Sequence, residues 1–238
     1  VNDLRASWEA GSRDWLRWAR EKELDHTFWR MNLPALLSLL PEPGRLTVDL
    51  GCGEGRVARE MKALGHEVIG IEGAESLAAA AREADPDFDV TVADAADIPL
   101  ADGAADLVVA SMSLLNMDDM EGAVREVARV LAPGGRLVFS TVHPTNSAKP
   151  LGDHPDAGSY FATYRYAEDR ERGGVRMTFH DTHRPLSAYT AALEHAGLLI
   201  EAIREPAPDA DYVADVPSMA RWQREPIFLH MRAVKPPA

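Results

Sequence analysis

The sequence predicts a doubly wound α/β sheet, and two observations predict it. From Arg45 to Val142 short apolar runs alternate with segments of helical spacing, and the first run leads directly into a glycine-rich loop that opens a helix. Strand and helix repeated in this way pack as a parallel sheet with right-handed crossovers.

Ahead of the sheet, Arg5–Arg20 and Phe28–Leu40 read as two helices. Leu46–Leu50, Val68–Glu72, Val90–Asp94, Leu107–Ser111 and Leu137–Val142 are short, largely β-branched or leucine-rich and bounded by turn residues, as strands buried on both faces are. Between them, Val57, Ala58, Met61 and Leu64 recur at helical spacing up to Gly65. Leu77–Ala84 follows, then Val124, Val127, Ala128 and Leu131, stopped by Pro133-Gly134-Gly135. Residues 145 to 176 are rich in Gly, Pro, Asp and Tyr, show no long helical period, and are expected to be irregular. Ser187–Ala196 reads as a helix closed by Gly197, Leu198–Ile203 as a strand and Ile227–Val234 as the final strand. One domain is expected over 1–238: a helical cap at 1–44, a cofactor-binding core at 45–142, an insert at 143–186 and the end of the sheet at 187–238.

Composition narrows the function. With 46% apolar and 26% charged residues, the chain of 238 residues can bury a real core. A net charge of −13 provides no basic surplus for a nucleic acid backbone, so a nucleic acid partner is not expected. Cys52 is the single cysteine, which rules out an intramolecular disulfide and a cysteine-cluster metal site. The start, Val1-Asn2-Asp3-Leu4-Arg5, is polar, and apolar runs fall far short of the roughly 18 residues of a membrane span. A cytoplasmic protein without a membrane partner is expected. Within 45–142 the only aromatics are Phe88 and Phe139; the others crowd the flanking segments. Trp15, Trp18, Trp29 and Tyr164 are therefore expected to wall a pocket for a flat or apolar small molecule.

The strongest local signal is Val48-Asp49-Leu50-Gly51-Cys52-Gly53-Glu54-Gly55-Arg56. Its glycines allow a tight turn that aims amide N–H groups at a ligand. Three features select the ligand. No Gly-Lys dipeptide occurs, which removes the triphosphate loop, and Arg56 stands where a dinucleotide loop wants Gly or Ala. Asp49 and Glu54 add negative charge, which opposes a pyrophosphate and suits a ligand with cationic centres, such as the sulfonium and ammonium of S-adenosylmethionine. Glu72 ends the second strand about 20 residues past the first glycine, where an acid meets ribose hydroxyls. Asp94 and Ala95 end the third strand, placed to bond the adenine amino group and a ring nitrogen.

At these residues the chain resembles the class I S-adenosylmethionine-dependent methyltransferases, in particular the methyltransferase type 11 group and its bacterial small-molecule members. Val48–Arg56, Ile69–Ala74, Val92–Ile98, Asp106–Ser111 and Leu131–Phe139 carry the resemblance, in family order and spacing. It implies a seven-stranded, mostly parallel, Rossmann-like sheet whose last strand is antiparallel, fitting Ile227–Val234. It also implies a cofactor site lined by Asp49, Gly51, Cys52, Gly53, Glu72, Gly73, Asp94, Ala95 and Ser111. Glu72 replaces the commoner Asp, which keeps the ribose contact.

Ser111-Met112-Ser113-Leu114 lacks the Asn or Asp, Pro, Pro, aromatic pattern of amino-methylating DNA enzymes, so a small-molecule acceptor is expected, methylated on O or N and less readily on C. His143, at the end of the fifth strand, is the first candidate base, with His180 and His183 beyond the insert. Asp118-Asp119 reads as a helix cap and not as a metal site, and no metal is expected. Two other readings stay open: an NAD(P)-dependent oxidoreductase on the same sheet, and a binder or repurposed enzyme that transfers no methyl group.

Overall fold

The computed structural model describes residues 3–150 and 154–237; Val1-Asn2 and the 151–153 part of the expected insert lie outside the described residues. Strands β1 (Thr47–Leu50), β2 (Val68–Glu72), β3 (Asp89–Val92), β4 (Ala105–Ser111) and β5 (Leu131–Val142) run parallel to one another. A hairpin of β6 (Tyr164–Arg172) and β7 (Val175–His183) follows, then β8 (Leu199–Arg204) and β9 (Phe228–Val234). The main sheet has seven strands in the order β3-β2-β1-β4-β5-β9-β8. β9 lies antiparallel to both β5 and β8, so the last strand of the chain is the one that runs against the rest. The expected sheet and its reversed last strand are both present.

The strands are continuously apolar because both faces are covered. Val48, Leu50, Val108 and Phe139 face α5 (Met120–Val130) and α7 (Leu186–His195), meeting Val124, Val127 and Leu193. Leu107, Val109 and Val138 point the other way, toward α2 (Leu33–Leu37), α3 (Arg56–Ala63) and α4 (Glu75–Ala84), meeting Leu36, Met61 and Ala78. Asp119 caps α5 by accepting from Gly122 N at 2.8 Å, as the adjacent acids predict. No helix among the described residues is long and apolar enough to cross a membrane.

Three expectations need correction, and one link gains elements where none was expected. The stretch expected to be irregular holds the β6–β7 hairpin, turned at Gly173-Gly174, where φ is +57° and +73°. Two successive positive φ values make the tight turn that matches strand twist, and glycine takes them without strain. Next, Pro133-Gly134-Gly135 stops the helix but lies within β5, which begins at Leu131. Third, the helix expected over 28–40 is a widened turn at Phe28–Asn32 leading into the short α2, with Pro34 lacking an amide to close a regular turn. Finally, α8 (Ala210–Asp215) and a 3₁₀ turn at Pro217–Gln223 fill the link between β8 and β9.

The N-terminal cap, led by α1 (Leu4–Arg20), is tied to the sheet at a fully buried polar point. Ser140 Oγ donates to Asn32 Oδ1 at 3.2 Å, and His230 Nε2 donates to the Asn32 carbonyl at 3.1 Å. Burial holds the His230 imidazole down at about 4. An unfolded histidine takes its proton near 6.5. The unfolded chain is therefore protonated first, and stability present above pH 6.5 is lost as pH falls through 4. His230→Gln removes this titration. Its melting temperature, compared with the parent's from pH 7 to pH 4, should lack an acid-dependent loss of up to about 3 kcal/mol.

Candidate functional site

A cavity of about 800 Å³ opens over the carboxyl ends of β1, β2 and β4, roofed by α1, the β6–β7 hairpin and the 217–223 turn. Its size sits high in the usual range of about 300–1,000 Å³ for small-molecule sites. Asp49, Gly51, Cys52, Gly53 and Glu72 line it, as do Gly73, Asp94, Ala95 and Ser111, so every residue expected to meet the cofactor reaches one space.

The loop after β1 is shaped by close approach. Gly51 has φ +71°, and a Cβ there would fall 2.5 Å from Ser113 Cβ. Ser113 in turn donates to the Leu50 carbonyl at 2.6 Å, fastening the end of β4 to the end of β1. Gly51 N donates to the Ile71 carbonyl at 2.7 Å. Glu72 completes the turn: Oε2 accepts from Gly53 N at 2.7 Å and Oε1 from Ala74 N at 2.8 Å. Met112, just past β4, holds φ +53°, a left-handed backbone that costs a non-glycine residue about 1–3 kcal/mol, and it stands on the cavity wall.

Charge is distributed unevenly around the loop. Glu54 does not offer its charge to a ligand as expected, because Arg59 binds it at 2.8 Å and Arg20 approaches at 3.8 Å. Asp49 is different: its Oδ2 is buried with no hydrogen-bond partner. Burial, and then the neighbouring Glu72, push its carboxyl up to about 7. Burial likewise pushes the Cys52 thiol well up, which keeps it protonated and unreactive. Asp94 caps Ala96 N at 2.8 Å and stays exposed at the rim. Ser111 Oγ, also on the wall, is buried without a partner. Two orphaned oxygens beside an amide-rich loop make a site that a cationic, hydroxyl-bearing ligand completes.

The expected bases lie elsewhere. His143 caps the short α6 (Pro144–Ser147), its Nδ1 accepting from Thr145 N at 3.2 Å, while Nε2 reaches Glu205 at 2.9 Å. Both nitrogens point away from the cavity, and burial lowers its pKa against the pull of Glu205. His183 is fully buried, bonded through Nδ1 to Ser147 Oγ at 2.7 Å and through Nε2 to the Tyr160 carbonyl at 3.0 Å. The His180 ring lies outside the cavity beside Ala6, Ser7 and Ala10 of α1. Among the expected aromatic walls, Trp15 and Trp18 are in place. Trp29 packs on Phe28 under Lys22, and Tyr164 donates its hydroxyl to the Lys149 carbonyl at 3.0 Å, both off the wall.

The group the sequence reading missed is Asp181. It lines the cavity beside Tyr166 and Asn116, and Asn116 Nδ2 donates to its Oδ1 at 2.7 Å. Burial raises its carboxyl to about 6, against the hydrogen bonds from Asn116 and Tyr166. A signal was present: Val175, Met177, Phe179 and Asp181 occupy alternate positions of one strand, so the acid continues an apolar face. Among the described residues no three His, Cys, Asp or Glu side chains converge as metal ligands do.

Comparisons with known proteins agree with this geometry. A sequence profile described as a methyltransferase domain matches residues 48–139. An S-adenosylmethionine-dependent methyltransferase from Mesorhizobium loti superposes with a TM-score of 0.70 at 31% identity, over 84% of this chain and 96% of that one. A ubiquinone/menaquinone biosynthesis C-methyltransferase of Caulobacter vibrioides is 30% identical over 57% of this chain and 58% of its own length. A malonyl-[acyl-carrier protein] O-methyltransferase of Enterobacter lignolyticus is 32% identical over 63% of this chain and 62% of its own. The chain thus spans less than two thirds of the length of these curated relatives. With the loop, the acid-lined sheet edge and a match over nearly the whole length of a solved relative in agreement, the chain belongs to the S-adenosylmethionine-dependent methyltransferases.

Proposed function

We propose that this chain transfers a methyl group from S-adenosylmethionine to a small-molecule acceptor, at an oxygen atom. The observation that carries the cofactor half is the buried Asp49 oxygen without a donor, set beside the glycine loop. A bound ammonium supplies the missing donor and favours the ionised carboxylate. A pyrophosphate meets only repulsion from Asp49, Glu72 and Asp94. Arg56, the cation acting on Asp49, is turned to Asp25 at 2.8 Å against the Phe28 ring, and Arg5 is the cation that acts on Glu72. When bound, S-adenosylmethionine supplies a methyl group on a sulfonium that becomes a neutral thioether on transfer.

The residues divide the work. Asp49 and the loop amides hold the amino acid end, Glu72 accepts from the ribose hydroxyls, Asp94 and the Ala95 backbone meet adenine, and Ser111 offers its hydroxyl across the site. Trp15, Trp18 and Phe179 roof the space and keep water out, which strengthens every charge interaction inside it. Asp181 accepts the acceptor's proton, and Asn116 holds its carboxylate in place. Oxygen is the acceptor atom shared by the sequence reading, which favours O or N, and by the relatives, which act on C or O.

S-adenosylhomocysteine should raise the melting temperature, whereas NAD and NADP should not; equal stabilisation by NAD would refute the cofactor assignment. Glu72→Ala should weaken S-adenosylhomocysteine binding roughly 10-fold or more, read by calorimetry. Asp49→Asn should also weaken it. In the ligand-free protein at pH 8 the same change should raise the melting temperature, because it removes a carboxylate that burial disfavours when charged. For a chain of this size the gain is about 2–4 °C per kcal/mol. Asp181→Asn should lower kcat by about 10²–10⁴ with S-adenosylhomocysteine affinity intact. The parent's kcat should fall as pH drops through about 6, the value at which Asp181 takes its proton. A variant that keeps that acidic limb would move the base elsewhere.

A further inference from the structure

The two ends of the cavity differ in charge. Asp49, Glu72 and Asp94 mark the cofactor end, at β1, β2 and β3. At the opposite end, past the carboxyl end of β5, three separate segments bring cations to one rim: Lys149 just after α6, Arg170 on β6 and Arg221 in the 217–223 turn. Arg170 is held by Glu168 at 2.9 Å. Among the described residues, no carboxylate lies within ion-pair distance of Lys149 or Arg221. Those two share an aromatic instead, with Lys149 Nζ 5.6 Å and the Arg221 guanidinium 3.9 Å from the Trp222 ring centroid.

The cations also act on one another. Burial lowers the Lys149 pKa and Arg170 and Arg221 lower it further, while Glu168 and Glu225 pull the other way. A half-buried ammonium near two guanidinium groups is relieved by an anion, which also gains two charge-assisted hydrogen-bond donors. Beneath the rim the wall turns apolar: Met112, Met219, Ile227 and Phe228 pack as one cluster and line the same space.

We propose that the acceptor is an anion, a small molecule with an apolar body and a carboxylate or phosphate group, and that Lys149 and Arg221 hold that group against Trp222. The proposal rests on the reading of the cavity as a site for S-adenosylmethionine and a small acceptor, and it adds the class of acceptor. The apolar body lies along Met219, Ile227 and Phe228, and the anionic group fixes which end of the molecule faces Asp181 and the cofactor end.

The test uses the full chain saturated with S-adenosylhomocysteine, at constant ionic strength, with benzoate, phenyl phosphate and the neutral benzamide as probes, read by calorimetry. At least one of the two anions should bind about 10-fold more tightly than benzamide, and the better of them separates carboxylate from phosphate. Lys149→Met combined with Arg221→Met should remove that preference, leaving the S-adenosylhomocysteine dissociation constant unchanged and the melting temperature within a few degrees of the parent's. Lys149→Arg in place of Lys149→Met, with Arg221 kept, should retain the preference. Equal binding of benzamide and both anions, or a preference that survives the double substitution, would overturn the proposal. A parent protein that fails to bind S-adenosylhomocysteine in the first titration overturns the cofactor reading instead, and so the two failures are told apart.

Discussion

Both carboxylate oxygens of Glu72 accept backbone amides, one from the glycine loop and one from the start of α4, and most of the site follows from that bridge. It joins the loop after β1 to the end of β2 at Gly53, beyond the point where Gly51 and Cys52 pair with the Ile71 carbonyl. Amides in a buried turn need partners, and a carboxylate that serves two at once fixes their separation. Burial raises the pKa of Glu72 while these same hydrogen bonds pull it down. One acid is thus a structural brace with lone pairs left over for a ligand, and Gly51 beside it is required by its close approach to Ser113.

From that brace the cavity is built outward in two layers. The floor is the sheet edge, close-packed on both faces and stiff. The roof is α1 with the hairpin, and the two hold to each other through aromatic edges, Trp15 on Phe179 at 6.2 Å and Trp18 on Phe179 at 5.7 Å, and through Trp8 Nε1 donating to the His180 carbonyl at 3.2 Å. At the hairpin tip, a Cβ on Gly173 would stand 2.9 Å from Leu24 Cδ2, so the turn closes directly on the N-terminal segment. Roof and floor meet where Glu9 accepts from Ser76 N, where Arg20 reaches Glu54 and the Ala80 carbonyl, and where Asn116 donates to the His180 carbonyl and Asp181.

The parts of the sequence that read correctly were those where one physical rule dominates. Strands buried on both faces leave uninterrupted apolar runs, a glycine loop must follow β1 to serve a ligand there, and Asp119 had an open helix start to cap. The hairpin was hidden because Glu168, Asp169, Arg170 and Glu171 mask its alternation with charge on a strand that packs only one face. Gly173-Gly174 was the visible sign of its turn. His143 was placed correctly along β5 but not around it: the cap on α6 turns the ring to Thr145 and Glu205. Position along a strand is legible from sequence, whereas the direction a side chain takes at the strand's end depends on what caps the next element. Asp181 was passed over for the complementary reason, since an acid in an apolar alternation reads as surface until the facing Asn116 is known.

The floor residues that face the cofactor end, Asp49 to Ser111, come from one continuous stretch, while the wall at the other end is assembled from the segment after α6, the hairpin and the link between β8 and β9. These two kinds of residue are therefore free to change at different rates. A descendant of this chain can lengthen the 217–223 turn or replace Trp222, and neither the bridge at Glu72 nor Asp181 on the hairpin will register it. What the protein selects can thus be inherited separately from how it reacts, and gene duplication followed by divergence in one short turn is enough to produce a sibling with a new clientele and an untouched engine.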